Sequence, residues 1–111
     1  MHIDVQEKGH ALVLKPFEPR IDSHVAVDFK HALSDHAASG KRLVLDLSEV
    51  DFIDSSGLGA IVAAHRRAHD QGGVVICGAN EVVMRLFRLA RLDRIFHIAL
   101  DVEEALAAIP T

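Results

Sequence analysis

The chain has no tryptophan and no tyrosine, and only five phenylalanines in 111 residues. A binding site built on aromatic stacking is therefore disfavoured. Cysteine occurs once, as Cys77, which excludes an internal disulfide. A chain without disulfides fits a reducing cytoplasm. No apolar run approaches the ~20 residues that a membrane-crossing helix requires. Met1-His2-Ile3-Asp4 carries neither the basic nor the apolar segment of a secretion signal. Positive charge is in the minority, with 12 Lys+Arg against 16 Asp+Glu and a net charge of −4. Such a balance provides no general surface for direct nucleic-acid binding or for an anionic membrane.

What is present is enough for one core. Half of the residues are apolar, which excludes disorder as a description of the whole chain. A single domain over residues 1–111 can bury roughly 65% of its unfolded surface. Residues 2–6 and Ala11-Leu12-Val13-Leu14 read as two strands joined by a Gly9-His10 turn and hence paired antiparallel. Pro16 and Pro19 end the second. Asp22 or Ser23 caps a helix to about Ala38, with Val25, Phe29, Ala32 and Leu33 on its apolar face. Leu43-Val44-Leu45-Asp46-Leu47 and Val74-Val75-Ile76-Cys77 read as strands covered on both faces. Helices follow at Gly57–Asp70, Glu81–Leu89 and Glu103–Ile109, the last capped by Asp101, and a final strand at Ile95-Phe96-His97-Ile98. The order β-β-α-β-α-β-α-β-α predicts a single α/β domain. Its sheet is mixed but mostly parallel, with an antiparallel first strand and packed helices.

The chemistry concentrates where a buried strand runs into Asp54-Ser55-Ser56-Gly57-Leu58-Gly59 and a helix. Ser55 or Ser56 stands where an N-cap is wanted, so one reading is purely structural. The other is functional, because a helix start also favours a negative group. Catalytic signatures are missing. No glycine lies two residues before either serine, as a nucleophile elbow requires. Val62 stands where a dinucleotide fingerprint needs its third glycine, and no phosphate-binding Gly-Lys-Ser/Thr occurs. A hydrolase using either serine would have to recruit a histidine such as His24 or His97 through the fold. The chain is thus expected to be no enzyme and to need no cofactor. His65 and His69 share a helix face, but Arg66 and Arg67 between them disfavour a metal, which leaves a solvated face. Arg85, Arg88 and Arg91 form a basic ridge, either solvated or a docking ridge for an acidic partner.

These residues resemble the STAS domain, the fold of anti-sigma-factor antagonists and of the cytoplasmic tails of sulphate transporters. The resemblance covers nearly the whole chain. It is most specific at Val44-Leu45-Asp46-Leu47 and Phe52-Ile53-Asp54-Ser55-Ser56-Gly57-Leu58-Gly59, with Ile21-Asp22, Arg85-Leu86-Phe87 and Leu92 to Phe96 in support. Pro19-Arg20 stand where the family usually has a Gly-Glu pair. The resemblance implies a phosphorylation site at Ser55, directly after the motif aspartate. It also implies a partner-binding surface of Asp22, Asp54, Ser55, Ser56, Gly57, Leu58 and Gly59. The implied partner is an anti-sigma factor that is also a serine kinase. The unphosphorylated form binds it and releases a sigma factor to regulate transcription, and a serine phosphatase resets the modified form. A second reading, from the same resemblance, is a STAS accessory subunit that regulates an ABC-type lipid transporter. Those proteins generally lose the paired serines, and Asp54-Ser55-Ser56-Gly57 is intact here.

Overall fold

A computed structural model describes residues 1–109, so the last two residues of the expected 1–111 domain lie outside the described residues. In chain order the strands and helices are β1 (Ile3–Lys8), β2 (Ala11–Pro16), β3 (Arg20–Ile21), α1 (Ala26–Ala37), β4 (Arg42–Asp46), β5 (Phe52–Ile53), α2 (Ser55–Arg67), β6 (Val74–Cys77), α3 (Glu81–Leu89), β7 (His97–Ala99) and α4 (Val102–Ala107). Short 3₁₀ turns occupy His69–Gln71 and Leu92–Arg94. Five strands form one sheet in the order β1-β2-β4-β6-β7. Only β1 runs antiparallel, with Val5 opposite Leu14. The other pairs are parallel, with Val13 opposite Val44, Val44 opposite Val75 and Ile76 opposite Ile98.

The apolar run at 43–47 is the middle of this sheet, and every residue of it is buried. The pleat sends Leu12, Leu14, Leu43, Leu45 and Ile76 to one face, where they join Phe29, Leu33, Ile61, Ala64, Val83 and Phe87 from α1, α2 and α3. The opposite face carries Ala11, Val13, Val44, Val75, Cys77 and Ala99, packed by Ala105, Val102 and Leu106 of α4. Cys77 lies within this second layer. Burial there, with Asp46 and Asp101 nearby, pushes its thiol up to about 12, so it stays protonated and inert.

Several boundaries move. The strands β3 and β5 form a separate two-stranded parallel ribbon. Two residues each are too few to leave a periodic signal. α1 begins at Ala26 with Val25 as its N-cap and has no side-chain cap, so neither Asp22 nor Ser23 caps it. The Asp22 carboxylate instead accepts from His24 N–H at 3.0 Å, and its carbonyl accepts from Val25 and Ala26. This local turn uses up the capping groups before the helix starts. α2 begins two residues earlier than the glycine-based reading, at Ser55, and ends at Arg67. The final strand is shifted to His97–Ala99, because Leu92–Arg94 coil into a 3₁₀ turn that leaves Ile95 exposed and Phe96 in the core. Asp101 does cap α4, accepting from Glu104 N–H at 2.8 Å.

His69 is exposed, as a solvated face requires, but His65 is not. Its ring packs on Phe96 at 4.4 Å between centroids, and Phe96 in turn meets Phe87. Its Nδ1 accepts from Val74 N–H at 3.0 Å, joining α2 to β6. This bond requires a neutral ring protonated at Nε2. Burial, with His69 and Arg42 adding nearby positive charge, lowers the His65 pKa below its ordinary value. The unfolded chain takes up this proton near pH 6.5. The stabilisation from His65 is therefore complete above about pH 6.5 and is lost as pH falls towards the lower folded value. Urea unfolding at pH 7.5 and 5.5 should show a larger loss of stability in the parent than in His65→Gln. Equal losses would remove His65 from the pH response. At pH 7.5, His65→Ala should cost about 1–3 kcal/mol, since Val74 N–H loses its acceptor.

Candidate functional site

The ribbon builds the site. Because β3 and β5 run parallel, Asp22 and Asp54 leave it side by side, and Asp54 N–H donates to the Ile21 carbonyl at 3.1 Å. The turn before β5 is held by the Pro19 carbonyl, which accepts from Asp51 and Phe52. The Arg20 guanidinium lies over the Phe52 ring at 4.6 Å, a contact that stiffens the outer face of the ribbon. On the far side, Asn80 caps α3 through Val83 N–H and donates to the carbonyls of Val50 and Asp51.

Asp54, and neither serine, is the N-cap of α2. Its Oδ1 accepts from Ser56 N–H at 2.9 Å and Gly57 N–H at 3.1 Å, and Leu58 N–H donates to its carbonyl. Ser55 is the first helical residue, and both serine side chains are exposed. The open reading of Ser55 or Ser56 as the cap is thus resolved against both. An aspartate competes as well as serine for this position, and β5 delivers Asp54 to it with extended backbone.

The remaining members of the segment divide by environment. Gly57 is buried, so its part is to seat the turn on the ribbon. A Cβ there would lie 2.6 Å from Ile53 Cγ2 and 2.8 Å from the Ile21 carbonyl oxygen. Leu58 is half-buried against the core, while Gly59 is exposed and a Cβ on it would meet nothing within 4 Å. The outward surface is therefore Asp22, Asp54, Ser55, Ser56, part of Leu58 and the bare backbone at Gly59.

α3 adds an apolar strip. Met84 points to the β7 side, where it lines a cleft with Ile98 and Leu100. Val82, Leu86 and Leu89 occupy the opposite flank by helical spacing, and α3 also packs against β5. Val82 is 54% exposed and Leu89 is 75% exposed. The sequence signal was an apolar arc on α3 broader than one sheet face can cover. Of the basic ridge, Arg85 and Arg88 share a face of α3 and all three arginines are exposed. Arg88 pairs with Glu81, and Arg91 lies beyond the helix in a left-handed turn at φ 58°. Arg85 remains exposed on the helix.

The family model of the STAS domain matches residues 2–105. The chain belongs to the STAS domain family. This STAS domain is 35% identical over 99 residues to the anti-sigma-B factor antagonist of Listeria monocytogenes, covering 87% of this chain and 78% of that protein. It is 27% identical over 103 residues to the anti-sigma F factor antagonist of Paenibacillus polymyxa, covering 88% and 87%. Its fold superposes on an anti-sigma factor antagonist from Mycobacterium paratuberculosis with a TM-score of 0.89, at 25% identity, over 97% of this chain and 92% of the other. No helix among the described residues is long and apolar enough to cross a membrane.

The two glycines of the STAS motif should respond oppositely to the same change. Gly57→Ala forces a methyl group against Ile53 and the Ile21 carbonyl and should destabilise by about 1–3 kcal/mol. Gly59→Ala meets open space and should stabilise by roughly 0.5–1 kcal/mol. Denaturant unfolding of both variants checks this, and a neutral Gly57→Ala would contradict the packing of α2 on β3.

Proposed function

We propose that this STAS domain is an anti-sigma factor antagonist that docks through Asp22, Asp54 and the Ser55–Gly59 surface and is switched by phosphorylation of Ser55. The observation that carries the reading is the position of Ser55. It is exposed, lies on the first turn of α2, and is spared capping duty by Asp54. The names of the relatives from Listeria and Paenibacillus support the antagonist function. The partner is an anti-sigma factor with serine-kinase activity, and a serine phosphatase reverses the modification. The domain works in the cytoplasm, binds no nucleic acid directly and catalyses no reaction. The ATP chemistry belongs to the partner.

Physical chemistry supports a switch without a change of shape. Phosphorylation adds about −1.5 to −2 charges at pH 7. The first-turn donors Ser56 N–H and Gly57 N–H are already engaged by Asp54. A phosphate on Ser55 therefore finds less local compensation than a vacant helix start would offer, and it sits beside the carboxylates of Asp54 and Asp22. Against a partner fitted to a neutral hydroxyl, a penalty of about 3 kcal/mol weakens binding roughly a hundredfold. The flank of exposed Val82 and Leu89 with half-buried Leu86 supplies apolar contact area alongside the polar switch. The transport-accessory reading shares the fold but gives the exposed serine pair no task.

Incubation with the cognate kinase and ATP, followed by fragment mass spectrometry, should place phosphate on Ser55. Phosphate on Ser56 alone, or on neither serine with an active kinase, would overturn the assignment. Ser55→Ala should unfold cooperatively with stability within about 0.5 kcal/mol of the parent and keep its affinity for the anti-sigma factor. Ser55→Glu should lose at least tenfold in affinity. Loss of folding in Ser55→Ala would make the serine structural.

A further inference from the structure

Away from the docking surface, at the opposite end of the central strand, the chain holds a second group of polar atoms. α2 carries the backbone between the two ends of the strands over 13 residues, about 20 Å at 1.5 Å per residue. There Arg42, the first residue of β4, lines a cleft of about 270 Å³ together with His10, Gly40, Gln71 and Ile109. The Arg42 Nε is buried and has no hydrogen-bond partner among the described residues. No carboxylate of the described residues forms an ion pair with it either. A buried, uncompensated donor on a charged group is costly to maintain. The nearby Lys41 is already neutralised by Glu7 at 2.6 Å.

The guanidinium is also held in place. Gly72, at φ +98°, presses on it so closely that a Cβ would lie 2.5 Å from Nη1 and 2.7 Å from Cζ. Gly73, at φ +80°, lies equally close to the His65 ring. The Gly72-Gly73 turn thus packs its backbone on two basic side chains. The backbone N–H of Arg42 donates to the His10 carbonyl, which fixes the base of the cleft. The Gln71 side chain is committed to the Ala37 carbonyl at 2.6 Å and frames the cleft as a wall. The exposed His10 ring stands at the mouth as a further donor.

We propose that this cleft is a binding site for a small oxyanion, a carboxylate or a phosphate group, with Arg42 as its charged donor. A guanidinium offers five N–H donors in a fixed fork that matches the oxygens of either group. The part of the guanidinium that lines the cleft meets the oxyanion while Nε stays covered by Gly72, and the held side chain loses little freedom on binding. The site is independent of the antagonist reading, since none of its residues belongs to the Ser55 surface.

The test is a titration of the full chain with inorganic phosphate and, separately, with acetate, each against sodium chloride at matched ionic strength. The readout is the ¹⁵Nε–¹Hε resonances of the arginines. Arg42 Nε should shift saturably with at least one of the two oxyanions and not with chloride, while Arg85 Nε stays in place. Saturation with phosphate alone assigns a phosphate ligand, and with acetate alone a carboxylate. Arg42→Lys, which keeps the charge but not the fork, should weaken binding at least tenfold, and Arg85→Gln should not change it. Shifts equal to those in chloride, shifts shared equally by Arg85, or unchanged affinity in a folded Arg42→Lys would each overturn the proposal. The titration of the parent decides the matter even if that variant fails to fold.

Discussion

The absence of a Cβ at Gly57 allows the first turn of α2 to rest directly on the Ile21 carbonyl and the Ile53 side chain. That approach sets the height of the helix start above the β3–β5 ribbon. It fixes where Asp54 can reach the Ser56 and Gly57 amides, and so where the hydroxyl of Ser55 emerges. A longer separation would leave Ile21 and Ile53, both fully buried, without their cover. The same contact therefore closes one end of the core and positions the surface of the proposed function. Burial of two isoleucine side chains contributes on the order of 3–6 kcal/mol in transfer terms, enough to hold the geometry without help from the exposed serines.

The two faces of the sheet divide the labour unequally. Leucines, phenylalanines and isoleucines fill the layer beneath α1, α2 and α3. Alanines, valines and Cys77 fill the thinner layer beneath the six-residue α4. Large side chains keep three helices at a distance from the sheet, and small ones let a short helix lie close. The rigid three-helix side carries the Ser55 turn, which suits a switch that works by charge and shape at a fixed surface. A modified residue on a rigid element acts by what it adds to the interface, with no bistable element required.

The capping arrangement also defines the electrostatics of that surface. Asp54 places a carboxylate into the helix dipole, and Asp22 emerges beside it from the parallel ribbon. The neutral Ser55 hydroxyl thus sits in an already acidic neighbourhood. A phosphate there adds like charge where the favourable donors are engaged. In the proposed switch, a phosphate on Ser55 acts on a partner more than on the fold, because both groups are near solvent, where repulsion is screened.

The sequence by itself determined the elements whose patterns run long enough to repeat. The hairpin at Gly9-His10, the buried strand at 43–47, the helices and the cap at Asp101 were all legible. So was the Asp54–Gly59 segment as a turn from a strand into a helix start, since two serines and two glycines follow an apolar run there. Tertiary structure alone decided the rest. The β3–β5 ribbon is two residues deep and exists only because distant segments meet. Asp54 outcompeted both serines as cap because strand pairing delivered it there in extended backbone. His65 left the solvated face because Phe96 and Val74 N–H, 31 and 9 residues further along the chain, came to meet it. Along the arginine ridge, only the structure showed that Arg88 pairs with Glu81 and that the chain turns left-handed at Arg91. Local periodicity reports which side of an element is apolar. It carries no information about which neighbour covers that side, because that depends on contacts between residues far apart in the chain.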